Sequence, residues 1–207
     1  MKKLILIVFL ITLQILNANN TNSKSTTQSI LFLGDSLTEG LGVNKEDAFP
    51  NLVKELFKKE QNKNITIING GVSGSTSSDG LARLKWYLKT KPSIVFLALG
   101  ANDGLRGLNL TQSQINLEEI IEYAQNAKAK VLLAGMLIPP NYGPDYAKEF
   151  KQMYQNLKNK YNLKIMPFLL EDVAGVKELN QRDGIHPNEQ GHKQVAQNVY
   201  EFLKEEL

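Results

Sequence analysis

The chain has 207 residues, 42% of them hydrophobic and 22% charged, with a formal net charge of +3 and no cysteine. That length and apolar content suit one globular domain stabilised by its core, with no second domain required and no disulfide framework available. Lysines and glutamates alternate without a basic cluster, so no nucleic-acid partner is expected.

Lys2 and Lys3 precede a largely apolar stretch of 13 residues, Leu4 to Leu16, broken by Thr12 and Gln14, and a polar run from Asn17 to Ser29 follows. This pattern reads as a signal peptide over residues 1–18, cleaved after Ala18, although Leu16 is large for its place before the cut. A polar segment, 19–28, then leads into a single domain, 29–207. The apolar stretch is well short of the roughly 20 residues a membrane-spanning helix needs, so the mature chain is expected to be exported, periplasmic or secreted, without a membrane span. Losing Lys2 and Lys3 leaves 22 basic against 21 acidic side chains and lowers the formal charge from +3 to +1.

From Ile30 onward, apolar runs alternate with helical patterns. Ile30–Leu33 reads as the first strand, and 47–60 as a helix with Phe49, Leu52, Val53, Leu56 and Phe57 on one face and Pro50 in its first turn. Ile65–Ile68 reads as the second strand. A loop of glycines and serines, Asn69–Ser78, leads to a helix with Leu81, Leu84 and Leu88 inward, closed by Pro92. Ile94–Leu99 is apolar throughout, as a central parallel strand covered on both faces should be. Thr111 and Gln114 have the spacing of a capping box, opening a helix with Leu117, Ile120, Ile121 and Ala124 inward. Val131–Ala134 is the fourth strand, and a proline-rich loop from Ile138 to Pro144 precedes a helix packing through Tyr146, Phe150, Met153 and Leu157. Leu163–Met166 is the fifth strand, and the last helix lies within Asn188–Leu207.

This alternation predicts a three-layer α/β/α sandwich with a central, mainly five-stranded parallel sheet of flavodoxin-like type. Ligands on such sheets bind beyond the carboxyl ends of the strands. Ser36 follows the first strand, the glycines 70, 71 and 74 follow the second, Asn102 follows the third, and Asp183 and His186 share a turn-rich loop near the end. Acyl transfer needs a nucleophile, a base, a group to orient that base and donors for an oxyanion, and these residue types supply them. Each has a plainer reading: Ser36 as a helix cap, Asn102 as a turn residue, His186 as a surface-loop histidine. His192 shares a helical face with Val195, Val199 and Leu203, so packing explains it. Spacing alone does not choose among the glycines.

The blocks GDSLTEG, GGVSGST, GANDG and DGIHPN, in that order from Gly34 to Asn188, resemble the four signature blocks of the SGNH hydrolases, also called the GDSL esterase/lipase family. The segments from Gly100 to Gly107 and from Pro140 to Gly143 are similar to loops of its periplasmic multifunctional thioesterase, protease and lysophospholipase subgroup. The resemblance implies Ser36 as nucleophile, His186 as base and Asp183 as its orienting acid. It implies an oxyanion hole made by the Ser36 and Gly74 N–H groups and the Asn102 amide, with no metal or cofactor. The substrate it implies is a small-molecule acyl ester, lysolipid or acyl thioester, and Leu105 and Tyr142 stand in loops expected to line an acyl groove. A carbohydrate O-acetyl esterase and a non-catalytic flavodoxin-like binding protein are the alternatives. The oligomeric state is not legible.

Overall fold

In the computed structural model, residues 28–207 are described, so the expected signal peptide and nearly all of the polar segment after it lie outside the described residues. Five parallel strands form one sheet: β1 (Ser29–Gly34), β2 (Thr66–Gly71), β3 (Ile94–Ala98), β4 (Lys130–Ala134) and β5 (Lys164–Met166). Their order is β2-β1-β3-β4-β5. Every residue of β3 is buried, as expected where helices cover both faces.

The helices are α1 (Ser36–Glu39), α2 (Phe49–Gln61), α3 (Ser77–Tyr87), α4 (Ala101–Leu105), α5 (Leu110–Asn126), α6 (Pro144–Tyr161) and α7 (Glu189–Lys204). One layer pairs α2 with α7, and the other packs α3 on α5 and α5 on α6. Phe49 of α2 meets Phe32 of β1 edge-on, with ring centroids 5.6 Å apart, and Phe32 in turn lies against Phe96 of β3. The apolar stripe read from the sequence therefore does what its period predicts: Phe49, Val53 and Phe57 are fully buried.

Three of the differences from the sequence reading have a visible cause. β2 runs on through Asn69, Gly70 and Gly71, because Gly70 and Gly71 stay in register with Leu33 and Gly34 of β1. The glycines there are strand residues chosen for close approach, since a Cβ on Gly71 would lie 2.1 Å from the Glu39 amide nitrogen. Helix α2 begins at Phe49 rather than residue 47, after a short 3₁₀ turn at Lys45–Asp47. Its first amide is held from a distant helix, where His192 Nδ1 accepts from the Phe49 N–H at 3.3 Å. The capping box is also not the cap of α5: Asn109 is, its side chain accepting from the Gln112 N–H at 3.0 Å, and Thr111 is already helical. Asparagine is among the best N-caps and needs no partner three residues on.

Candidate active site

The strand order reverses between β1 and β3, which makes the crevice outside their carboxyl ends the topological switch point of the sheet. Ser36 sits there as the first residue of α1, only 7% exposed. Asp35 caps this single turn, its Oδ1 accepting from the Leu37 N–H at 3.0 Å. The Ser36 N–H thus belongs to a helix start, where amides have no intrahelical acceptor.

The loop before α7 brings the other two groups. Asn180 and Pro187 form an isolated antiparallel bridge, and the Gln181 N–H donates to the His186 carbonyl at 2.8 Å, which closes the intervening residues into a tight loop. Within it, Asp183 Oδ1 accepts from the N–H groups of Ile185 and His186, each at 3.0 Å, while Oδ2 lies 2.7 Å from His186 Nδ1. On its other side His186 Nε2 lies 2.9 Å from Ser36 Oγ. Some 150 residues of chain separate the last two groups.

Burial works against the charge of Asp183, but the His186 side chain and the two backbone N–H groups outweigh it and hold this carboxyl below its ordinary range. An ionised carboxylate can only accept, so Nδ1 of His186 carries the proton and Nε2 is the acceptor for the Ser36 hydroxyl. Asp35 behaves in the opposite way. Burial pushes it up to about 6, against the Leu37 N–H bond and the nearby charges of His186 and Arg83, and its Oδ2 has no hydrogen-bond partner among the described residues.

Asn102, in the first turn of α4, donates one amide hydrogen to the Ser75 carbonyl at 2.9 Å and also lines the cavity beside Ser36. Gly74 has φ +78°, a conformation side chains disfavour, and its carbonyl accepts from Arg106 Nη2 at 2.9 Å. Its N–H makes no hydrogen bond among the described residues. Glu39 holds the same loop, accepting from both the N–H and the hydroxyl of Ser73.

Ser36 and His186 open into a cavity of about 450 Å³ whose walls are mostly apolar. Leu105, Leu137, Ile138, Phe168, Leu170 and Ile185 are among the apolar residues that line it. Leu105 is thus one of the lining residues. Tyr142 is not among the lining residues: its hydroxyl donates to the Leu105 carbonyl at 2.8 Å, which ties it to the backbone of one that is. Phe168 and Leu170 carry no motif, although Phe168 lies just past the end of β5 as Ser36 lies just past β1, where the strand-end rule applies equally. Among the described residues no group of three or more His, Cys, Asp or Glu is arranged to hold a metal ion.

Fold and edge together define the class, a doubly wound α/β protein with a Ser–His–Asp hydrogen-bonded chain at its switch point. A model of the GDSL-like Lipase/Acylhydrolase family matches residues 32–194. Esterase TesA of Pseudomonas aeruginosa is 37% identical over 182 residues, covering 87% of this chain and 90% of that protein. Thioesterase 1/protease 1/lysophospholipase L1 of Escherichia coli is 36% identical over 177 residues, 85% of this chain and 83% of the relative. The crystal structure of the psychrotrophic esterase EstA from Pseudoalteromonas sp., 36% identical, matches with a TM-score of 0.82 over 86% of this chain and 97% of the other. The chain belongs to the GDSL-like lipase/acylhydrolase family.

Proposed function

We propose that this protein is a serine esterase that hydrolyses carboxylic esters and thioesters of acyl chains, including aryl and alkyl esters and lysophospholipids, through an acyl-enzyme. The hydrogen-bonded chain from Ser36 Oγ through His186 to Asp183, opening on an apolar cavity, is the observation that carries this reading. The names of its relatives, which include an esterase, a thioesterase and a lysophospholipase, support the bond type.

In this scheme His186 Nε2 takes the hydroxyl proton as Ser36 Oγ bonds to the acyl carbon, and Asp183 holds the imidazole in the required tautomer. The carbonyl oxygen becomes an oxyanion facing the Ser36 N–H, the Gly74 N–H and the second amide hydrogen of Asn102. As the tetrahedral centre collapses, the bond to the leaving alcohol or thiol breaks and His186 returns the proton to it. Water then attacks the acyl-Ser36 ester with the same base, releasing the acid and the free serine. No step draws on a metal or cofactor. The apolar walls offer an acyl chain a favourable exchange from water, about 0.8 kcal/mol for each methylene buried.

Ser36→Ala is expected to abolish hydrolysis of p-nitrophenyl esters and labelling by a fluorophosphonate probe while the protein stays folded. Retention of near wild-type turnover would sink the assignment. With the wild-type protein, kcat/KM should climb from acetyl to octanoyl esters. A strict preference for acetyl would replace this reading by a carbohydrate O-acetyl esterase.

Among the described residues no helix is long and apolar enough to cross a membrane. Lys2 and Lys3, the 13-residue apolar stretch and the polar run after it support export, with residues 1–18 removed as a signal peptide. Sequencing the exported protein from its amino terminus should start at Asn19; a start at Met1 would mean an uncleaved anchor.

A further inference from the structure

Arg83, on α3, has a side chain only 17% exposed, and nothing in the reaction scheme uses it. Its Nη1 donates to the Gly34 carbonyl at 2.9 Å and to the Gly70 carbonyl at 2.6 Å. Gly34 ends β1 two residues before Ser36, and Gly70 lies in the last turn of β2 backbone before the loop that carries Gly74. The other edge of the fork meets Asp79 Oδ1, from Nε at 3.3 Å and Nη2 at 3.1 Å. Asp79 in turn accepts from Ser75 Oγ, 3.0 Å from each carboxylate oxygen. Ser75 is the residue whose carbonyl receives the Asn102 amide.

One side chain therefore touches, directly or through Asp79 and Ser75, all three segments that supply the oxyanion donors. We propose that Arg83 is a positioning residue for the oxyanion hole, fixing the ends of β1 and β2 and the carbonyl on which Asn102 hangs. The inference rests on the esterase reading above. The planar guanidinium puts Nη1 on the two carbonyls while Nε and Nη2 reach the carboxylate from another side; an ammonium carries its three donors on one atom and does not span both positions. The part-buried bonds to the two strand-end carbonyls are the firm part of this arrangement, since Asp79 is half-exposed and its ion pair with Arg83 is screened by solvent.

Arg83→Lys keeps the charge and removes the fork. Misplacing catalytic groups by an ångström costs on the order of 10²-fold, so kcat on p-nitrophenyl butyrate should fall about 10- to 100-fold. KM should stay within about threefold, because the cavity walls come from other loops, and the pH profile should not move, because Asp183 and His186 lie on another segment. Rates are normalised to sites titrated by a fluorophosphonate, so a merely unstable variant shows no deficit per active site. Combined with Asn102→Ala, the lysine variant should lose less than the product of the two separate losses, since one of the three donors it positions is already gone. Ser75→Ala, which cuts the relay to Asp79 without touching the strand ends, should show a smaller loss of kcat alone and serves if the lysine variant does not fold. The proposal is overturned by normalised kcat within twofold of wild type, or by losses that multiply independently with Asn102→Ala. Either result leaves the serine assignment standing, which falls only if Ser36→Ala remains active.

Discussion

Asn102 comes to the site with one amide hydrogen committed to Ser75, which fixes the direction of the other. Loss of one oxyanion donor costs roughly 10²–10³ in turnover, so Asn102→Ala should be folded but slow by that factor in kcat, with KM little changed. Circular dichroism and steady-state kinetics together check this; an effect confined to KM would remove Asn102 from the oxyanion hole. The two histidines show how differently one residue type is used. His186 is partly exposed in a loop and bonded on both nitrogens, whereas His192 is 1% exposed and serves the backbone of another helix. The helical stripe Val195, Val199 and Leu203 marks His192 as a packing residue. That it caps α2 was not legible, because the partner amide is 143 residues away.

At the scale of elements, the correction to α5 is directly measurable. Asn109→Ala should cost about 1 kcal/mol of unfolding free energy, the usual worth of an N-cap, while Thr111→Ala should cost a few tenths or less. Urea unfolding of the two variants discriminates: equal losses, or a larger one at Thr111, would restore the capping box. The glycine pair in β2 tells a similar story. Asn69, Gly70 and Gly71 have loop composition, yet they remain strand because α1 packs so close that a side chain at Gly71 does not fit. Local propensity was overruled there by a neighbour 32 residues earlier in the chain, a term no window of sequence contains.

For the whole molecule, two buried groups pull the pH dependence of stability in opposite directions. Burial pushes His192 from 6.5 down to about 4, so its protonation favours the unfolded chain, and stability is lost as pH falls from about 6.5 to 4. Burial pushes Asp35 from 3.8 up to about 6, so the folded protein holds that proton more tightly and stability is lost as pH rises from about 3.8 to 6. Each contribution is about 3 kcal/mol, and over pH 4–6 they largely offset one another. Removing either exposes the other. His192→Gln should lose stability between pH 4 and 6, whereas Asp35→Asn, which retains an N-cap side chain, should gain it; urea midpoints at the two pH values would be parallel if neither group is perturbed.

The sequence by itself determined the sheet and its flanking helices, because period and burial are local: a run such as Ile94–Leu99 suits only a covered strand, and the stripe of α2 only one packed face. It also determined which loops hold the chemistry, since strand ends in a parallel sheet share one edge. Tertiary structure decided the rest. The 2.9 Å approach of Ser36 to His186 spans 150 residues, and Tyr142 is tied to a lining residue rather than being one. Arg83, a helix residue with no motif, was placed against the ends of both β1 and β2. Hydrogen-bond geometry acts over about 3 Å and composition over several residues, so a distance between remote segments exists only once the core has packed.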